Sequence, residues 1–267
     1  MNIVFSSDDN LLWILPTVLN SIYYNNKHLD LEIHLLYSGD LTDEEIKLKI
    51  NKCTKNHLNI TVYKINTEKL GFKYNGLDHV SRATMNRLFI EDSLRQTEGR
   101  VLYLDLDIIV NCDLNIFNEI EINPKTGISA RTEFLNWCQR WNKKHAAYQY
   151  TKPYNFNAGV ILFDLDTLRK NNFTKKAIEI WKCCSSYNDQ MILNIYCDGE
   201  YSKLPDKLNI FAGEKRHPDL QLIKDVLKSQ EDFIIHYTGD LKPWHDNYSH
   251  PLKELKTLWR KFSNETY

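Results

Sequence analysis

The chain has 267 residues, 42% of them hydrophobic, enough to bury a substantial core, and it reads as one α/β domain over 1–267. Its 34 Lys and Arg nearly balance 35 Asp and Glu, and the net charge of −1 offers no basic field to recruit nucleic acid or an anionic membrane surface. No apolar run approaches the roughly 18 residues of a membrane span, no secretory start precedes the first apolar stretch, and six dispersed cysteines form no C-x-x-C pair, so reduced thiols in a cytoplasmic protein are expected.

Asn2–Ser7 reads as a buried strand, followed by a helix over Leu11–Tyr24 with Leu12, Leu15, Leu19 and Ile22 at helical spacing. Leu31–Tyr37 is the next strand. Thr42 with Glu45 three places on is a capping-box signature for a helix to about Lys52, and Leu58–Ile65 alternates as a strand. Ser81–Arg95 reads as a helix and Val101–Leu104 as a strand. Further on come a strand over Asn157–Leu165, helices over Leu168–Trp181 and Asp189–Tyr196, a strand over Asp232–Tyr237 and a closing helix over Pro251–Phe262. Trp137, Trp141 and Tyr148 fall in a polar stretch that reads as a long loop, a lid or acceptor wall. Strands alternating with helices predict a mostly parallel, Rossmann-like sheet with helices on both faces and ligands at the strands' carboxyl ends.

The strand Val101–Leu104 runs into Asp105-Leu106-Asp107, two carboxylates at i and i+2 that extended backbone sends to the same side. Hard oxygen ligands so placed suit Mg²⁺ or Mn²⁺ and, through the ion, a diphosphate. Taken alone, the pair is equally well an inert, solvated strand end. The stretch His236-Tyr237-Thr238-Gly239-Asp240-Leu241-Lys242-Pro243-Trp244-His245 follows a second apolar strand. His236 can add an imidazole ligand, Gly239 lets backbone approach a phosphate and Lys242 can neutralise its charge. Alone, His236 would be a core histidine; with Gly239 and Lys242 at short spacing, the functional reading is stronger.

Four blocks in order carry a resemblance: Ile3 to Asn10, Tyr103 to Asp107, Phe156-Asn157-Ala158-Gly159-Val160, and His236 to His245. Over nearly its whole length the chain resembles the retaining glycosyltransferases of the family numbered eight, which includes glycogenin and bacterial lipopolysaccharide galactosyltransferases. The resemblance implies a GT-A-type nucleotide-sugar fold, with a nucleotide-binding half over 1–110 and an acceptor and sugar half over 111–267. It implies a Mn²⁺ ion, with Mg²⁺ as the substitute, held by Asp105, Asp107 and His236. Ser6, Asp8 and Asn10 would meet the nucleoside, although Asp8 or Asp9 also suits a helix N-cap. Arg87 matches a basic position near the donor sugar and diphosphate; judged as a lone helical Arg it would be a solvated or ion-paired surface charge. Leu106, Gly239 and Lys242 would line the donor, Asn157, Ala158 and Gly159 would face the sugar, Asp189 would bind a sugar hydroxyl and Gln190 would sit beside the anomeric carbon. Leu11 stands where many relatives stack an aromatic ring on uracil, and Met191 where some galactosyltransferases carry an acid.

The expected activity is retaining transfer of a hexose, glucose before galactose, from a UDP-sugar to a glycan or protein acceptor. Gln190 is a poor nucleophile, which favours front-face attack over a covalent adduct on Asp189. A catalytically weak sugar-nucleotide or glycan-binding protein is one alternative, and a haloacid-dehalogenase-like phosphohydrolase another. Against the latter, Asp-x-Asp lies mid-chain and Ile109 stands where that loop carries Thr or Val. The sequence leaves room for a homodimer.

Overall fold

A computed structural model describes residues 1–54, 59–66, 82–133, 150, 152–183, 188–213, 219–229 and 231–263. Ten strands are found among them: β1 Asn2–Ser7, β2 Glu32–Tyr37, β3 Ile60–Lys64, β4 Arg100–Leu104, β5 Ile108–Asn111, β6 Ile128–Glu133, β7 Asn155–Asp164, β8 Ser202–Lys203, β9 Ile210–Phe211 and β10 Phe233–His236. The α-helices are α1 Leu15–Asn25, α2 Asp43–Cys53, α3 Ile90–Ser93, α4 Leu165–Lys170, α5 Phe173–Cys183, α6 Asp189–Cys197, α7 Leu220–Ser229 and α8 Glu254–Phe262.

Seven strands form one sheet in the order β3-β2-β1-β4-β7-β6-β8, in which only β7 runs against its neighbours. Alternation along the central strands sends side chains into two cores. Ile3, Phe5, Leu102, Leu104, Val160 and Leu162 join α1, α2, α8 and a small second sheet on one face. Val4, Val101, Tyr103, Ile161 and Phe163 join α4, α5 and α6 on the other. The mostly parallel sheet covered on both faces agrees with the sequence expectation. The strand expected over Asp232–Tyr237 forms as β10, but in a second sheet, β5-β10-β9, that was not foreseen because β5 and β9 are only four and two residues long.

Local departures have local causes. The capping box at Thr42 and Glu45 forms as expected. The Leu11–Tyr24 helix opens instead as a 3₁₀ turn over Leu12–Ile14 before α1. The segment expected as a helix over Ser81–Arg95 is a 3₁₀ helix over Arg82–Phe89 followed by the single turn α3. Side chains take carbonyls that an α-helix would use, since Ser6 Oγ donates to Ala83 O and Arg87 Nε to Thr84 O. The helix expected over Leu168–Trp181 is broken into α4 and α5 by Asn172, which adopts φ 52°. Trp137, Trp141 and Tyr148 lie outside the described residues. Cys53, Cys112, Cys183 and Cys197 are free thiols, and no helix among the described residues is long and apolar enough to cross a membrane.

Candidate active site

The parallel pairing of β1 with β4 carries their carboxyl ends to one edge of the sheet. Because β7 is antiparallel to β4, its entrance rather than its exit reaches the same edge, and Asp105 N–H donates to Gly159 O at 2.8 Å. In the small sheet His236 is registered opposite Ile108, one residue past Asp107, and opposite Phe211, two past Asn209. These registers bring Asp105, Asp107 and His236 together: one potential ligand atom from each lies within 4.8 Å of the others. His236 Nε2 is 3.3 Å from Asp107 Oδ1 and 3.9 Å from Asp105 Oδ2.

Two carboxylates and a ring nitrogen are a donor set that suits Mn²⁺ or Mg²⁺. The ring is held in an orientation that serves ligation, since its Nδ1 faces Asn209 Oδ1 at 3.0 Å and leaves Nε2 towards the aspartates. Gly159 makes room for it, because a Cβ at 159 would lie 2.1 Å from His236 Cε1.

Cations flank the cluster on two sides. Lys242 Nζ donates to Asp107 Oδ2 and, at 2.7 Å, to Tyr237 O. Burial works against the Asp107 carboxylate, but Lys242 and then His236 outweigh it and hold its pKa below the usual range. Arg87, which a lone helical Arg would have placed at the surface, is instead 1% exposed. It reaches Asp105 at 2.6 Å, Asp189 at 3.2 Å and Ala158 O at 2.5 Å, with its guanidinium 4.3 Å from the Tyr103 ring centre. Burial opposes its charge, and Asp105 and Asp189 more than offset it. The paired Asp189, at the start of α6, is itself pushed above the ordinary carboxylate range by burial.

Gln190 Oε1 accepts from Ala158 N–H at 3.1 Å and from Asn157 Nδ2 at 3.4 Å, while its Nε2 donates to Glu133 Oε2 at 3.1 Å. Burial raises the pKa of Glu133, although Gln190 works the other way. Glu133 and Asn209 are the polar residues beside the expected set that the sequence did not reveal; an acid late in β6 and an asparagine before β9 carry no motif. Gly239 adopts φ +91°, a conformation open to glycine.

The first loop lies at the same edge with its side chains already engaged. The Ser6 hydroxyl is turned to Ala83, and Asp8 Oδ1 accepts from Asn10 N–H at 3.0 Å and Leu11 N–H at 3.1 Å, closing the turn ahead of the 3₁₀ helix, whose N-cap is Leu11 and takes no side-chain cap. Asn10 is exposed. The Leu106 side chain packs into the core between the two aspartates.

A family model described as "Glycosyl transferase family 8" matches residues 2–248. The chain is 29% identical to a lipopolysaccharide 1,2-glucosyltransferase of Escherichia coli K12, over 92% of this chain and 73% of that protein. It is 29% identical to a lipopolysaccharide 1,3-galactosyltransferase of Salmonella typhimurium, over 95% and 75%. It is 27% identical to the glycosyltransferase GlyF of Streptococcus pneumoniae, of which it spans 60%. Among solved structures, the galactosyltransferase LgtC, crystallised with donor and acceptor sugar analogues, superposes with a TM-score of 0.77 at 24% identity, covering 100% of this chain and 98% of LgtC. That likeness establishes the GT-A-like fold.

Proposed function

We propose, from the premise that this chain belongs to glycosyl transferase family 8, that it moves a hexose from a UDP-sugar to a glycan or protein acceptor with retention of configuration. Membership makes it a nucleotide-sugar-dependent glycosyltransferase and disfavours the phosphohydrolase and binding-only alternatives. The observation that carries the finer reading is the Asp105, Asp107 and His236 cluster with Lys242 beside it. Glucose is the first donor to test and galactose the second, in line with the relatives' names.

In this reading Asp105, Asp107 and His236 hold Mn²⁺, or Mg²⁺ in its place. The bound ion supplies Lewis-acid neutralisation of the charge that develops on the departing diphosphate. Lys242 adds a fixed ammonium donor to the same leaving group, and Gly239 admits a phosphate close to backbone. Ser6, Asp8, Asn10 and the backbone of Leu106, whose side chain is in the core, contribute to the nucleoside and ribose side, and Arg87 to the donor sugar and diphosphate. Asn157, Ala158 and Gly159 line the sugar beside Asp189 and Gln190. The Asp189 carboxylate is committed to Arg87, and the Gln190 oxygen to the Ala158 amide. Those engagements support front-face attack, in which the departing phosphate oxygen takes the acceptor's proton, over a covalent adduct. We place the reaction in the cytoplasm, where nucleotide sugars are made.

A panel of UDP-sugars with Mn²⁺, read by UDP release and by the anomeric configuration of the product, tests the proposal. Release from UDP-glucose or UDP-galactose, abolished by chelation, is expected. Lys242→Ala is expected to lower turnover roughly 10²- to 10³-fold, far beyond what its loss of the Asp107 pairing takes from the folded fraction, which circular dichroism at the assay temperature checks. No release from any UDP-sugar, or full turnover without divalent ion, would refute it.

A further inference from the structure

A backbone N–H can only donate, so it fixes the direction of any side-chain amide bonded to it. Gly159 N–H lies 2.9 Å from Asn157 Oδ1, which makes that atom an acceptor. The other contact of the same atom, 3.1 Å to Asn209, must then come from the Asn209 NH₂ group. With its nitrogen committed, Asn209 turns its oxygen to His236 Nδ1 at 3.0 Å, and an acceptor there requires Nδ1 to carry the proton. In the neutral ring that coordinates a cation, the lone pair is then left on Nε2, the atom that faces Asp107 and Asp105.

We propose that Asn209 is a positioning residue: it passes the direction of the Gly159 amide to His236 and fixes the imidazole as the Nδ1–H tautomer, with a ligand lone pair towards the two aspartates. The inference rests on the reading of Asp105, Asp107 and His236 as a cation site. Asn209 is completely buried and cannot swing away. Its carbonyl accepts from Arg131 Nη1 at 2.8 Å. Arg131 is clamped in turn by Asp219, at 2.8 Å from Nη2, and by Asp206, at 3.2 Å from Nε. Its guanidinium lies 4.2 Å from the centre of the Phe211 ring. Outer partners of this kind orient ligating histidines in metal sites generally, and their removal typically weakens metal binding or activity about 10- to 100-fold.

The first measurement uses the unaltered chain. In ¹⁵N-histidine spectra of the protein saturated with diamagnetic Mg²⁺, His236 is identified by the signal lost in His236→Gln. A protonated Nδ1 with an Nε2 that carries no proton is expected; a proton on Nε2 with a bare Nδ1 overturns the proposal. Mn²⁺ titrations followed by the electron paramagnetic resonance of free ion then compare two variants. Asn209→Leu, similar in size without an acceptor, is expected to bind Mn²⁺ roughly 10- to 100-fold more weakly. Asn209→Asp keeps an acceptor oxygen at Nδ1 but turns a second oxygen against Asn157 Oδ1, so it is expected to melt lower than the parent and still to bind Mn²⁺ more tightly than Asn209→Leu. An Asn209→Leu protein that melts like the parent and binds Mn²⁺ equally well overturns the proposal. A parent chain whose Nδ1 carries the proton in metal-free spectra but which binds neither Mn²⁺ nor Mg²⁺ leaves the orienting role of Asn209 standing and removes the cation site on which its use depends.

Discussion

Gly159→Ala adds one methyl group and is expected to dismantle the proposed cation site. A Cβ there would lie 2.1 Å from His236 Cε1, 2.5 Å from Nδ1 and 2.9 Å from Nε2. Non-bonded carbons rest at about 3.5–4.0 Å, so ring or strand must yield by roughly 1.4 Å. The strand is the stiffer partner, because β7 is paired with β4 on one side and β6 on the other, and Gly159 O receives the Asp105 N–H. The ring therefore moves, by far more than the ~0.2 Å that ligand distances tolerate. Overpacking of this kind costs about 1–3 kcal/mol, and each kcal/mol lowers Tm by about 2–4 °C at this size. Mn²⁺ affinity is expected to fall by at least 10- to 100-fold, the loss known for weaker perturbations of outer partners. Thermal melts of Gly159→Ala, His236→Ala and the double variant form a cycle in which removing the ring should relieve the clash. Additive destabilisation in that cycle, or unchanged Mn²⁺ binding in Gly159→Ala, would refute the reasoning.

Arg87→Met leaves Asp105 and Asp189 facing each other without their buried cation, and a loss of about 3–5 kcal/mol is expected in urea unfolding at neutral pH. The loss should shrink in acid as the carboxyls protonate; a loss under about 1 kcal/mol would mean that the pairs are not coupled to the fold. Glu133 supplies a pH test. Burial raises its folded pKa above the unfolded value, so its contribution is fully present below the ordinary glutamate range and is lost as pH rises through the raised pKa. Glu133→Gln has no such loss, so the stability difference between variant and parent should move in the variant's favour with rising pH across that interval, measured by urea midpoints. A gap that stays flat with pH would show that Glu133 titrates normally.

What could be read from the sequence divides by the range over which its signals act. Asp105 and Asp107 are adjacent on one strand end, and His236, Gly239 and Lys242 lie within one short stretch, so local spacing announced both groups. Their mutual placement depends on β5 pairing with β10, and β5 is only four residues long, too short for any periodicity to declare it. Helical spacing alone would leave Arg87 a surface charge, and only the resemblance put it near the donor, because its burial is decided by Asp105 and Asp189, both distant in sequence, and not by the helix face it occupies. The same captures of carbonyl groups that fix Arg87 and Ser6 also tightened the expected α-helix into a 3₁₀ helix. Asn157-Ala158-Gly159 was legible as a tight strand entrance, but that Gly159 is the seat of an imidazole appears only when β7 lies against β10's end. Asn209 gave no signal at all, since an asparagine after Lys207-Leu208 is compositionally ordinary.

The site gathers Arg87, Asp105, Gly159, Asp189, Asn209, His236 and Lys242 from most of the chain's length. During synthesis, no portion of the nascent polypeptide that stops before β10 contains the cluster, and its closure waits for pairings between remote segments, the slow class of folding event. A ligand that recognises only the finished cluster binds no early folding form. It draws the whole equilibrium towards the native state by RT ln(1 + [L]/Kd). The supply of donor in the cell would then act as a chaperone-like influence on how long each molecule survives, separate from its part in turnover.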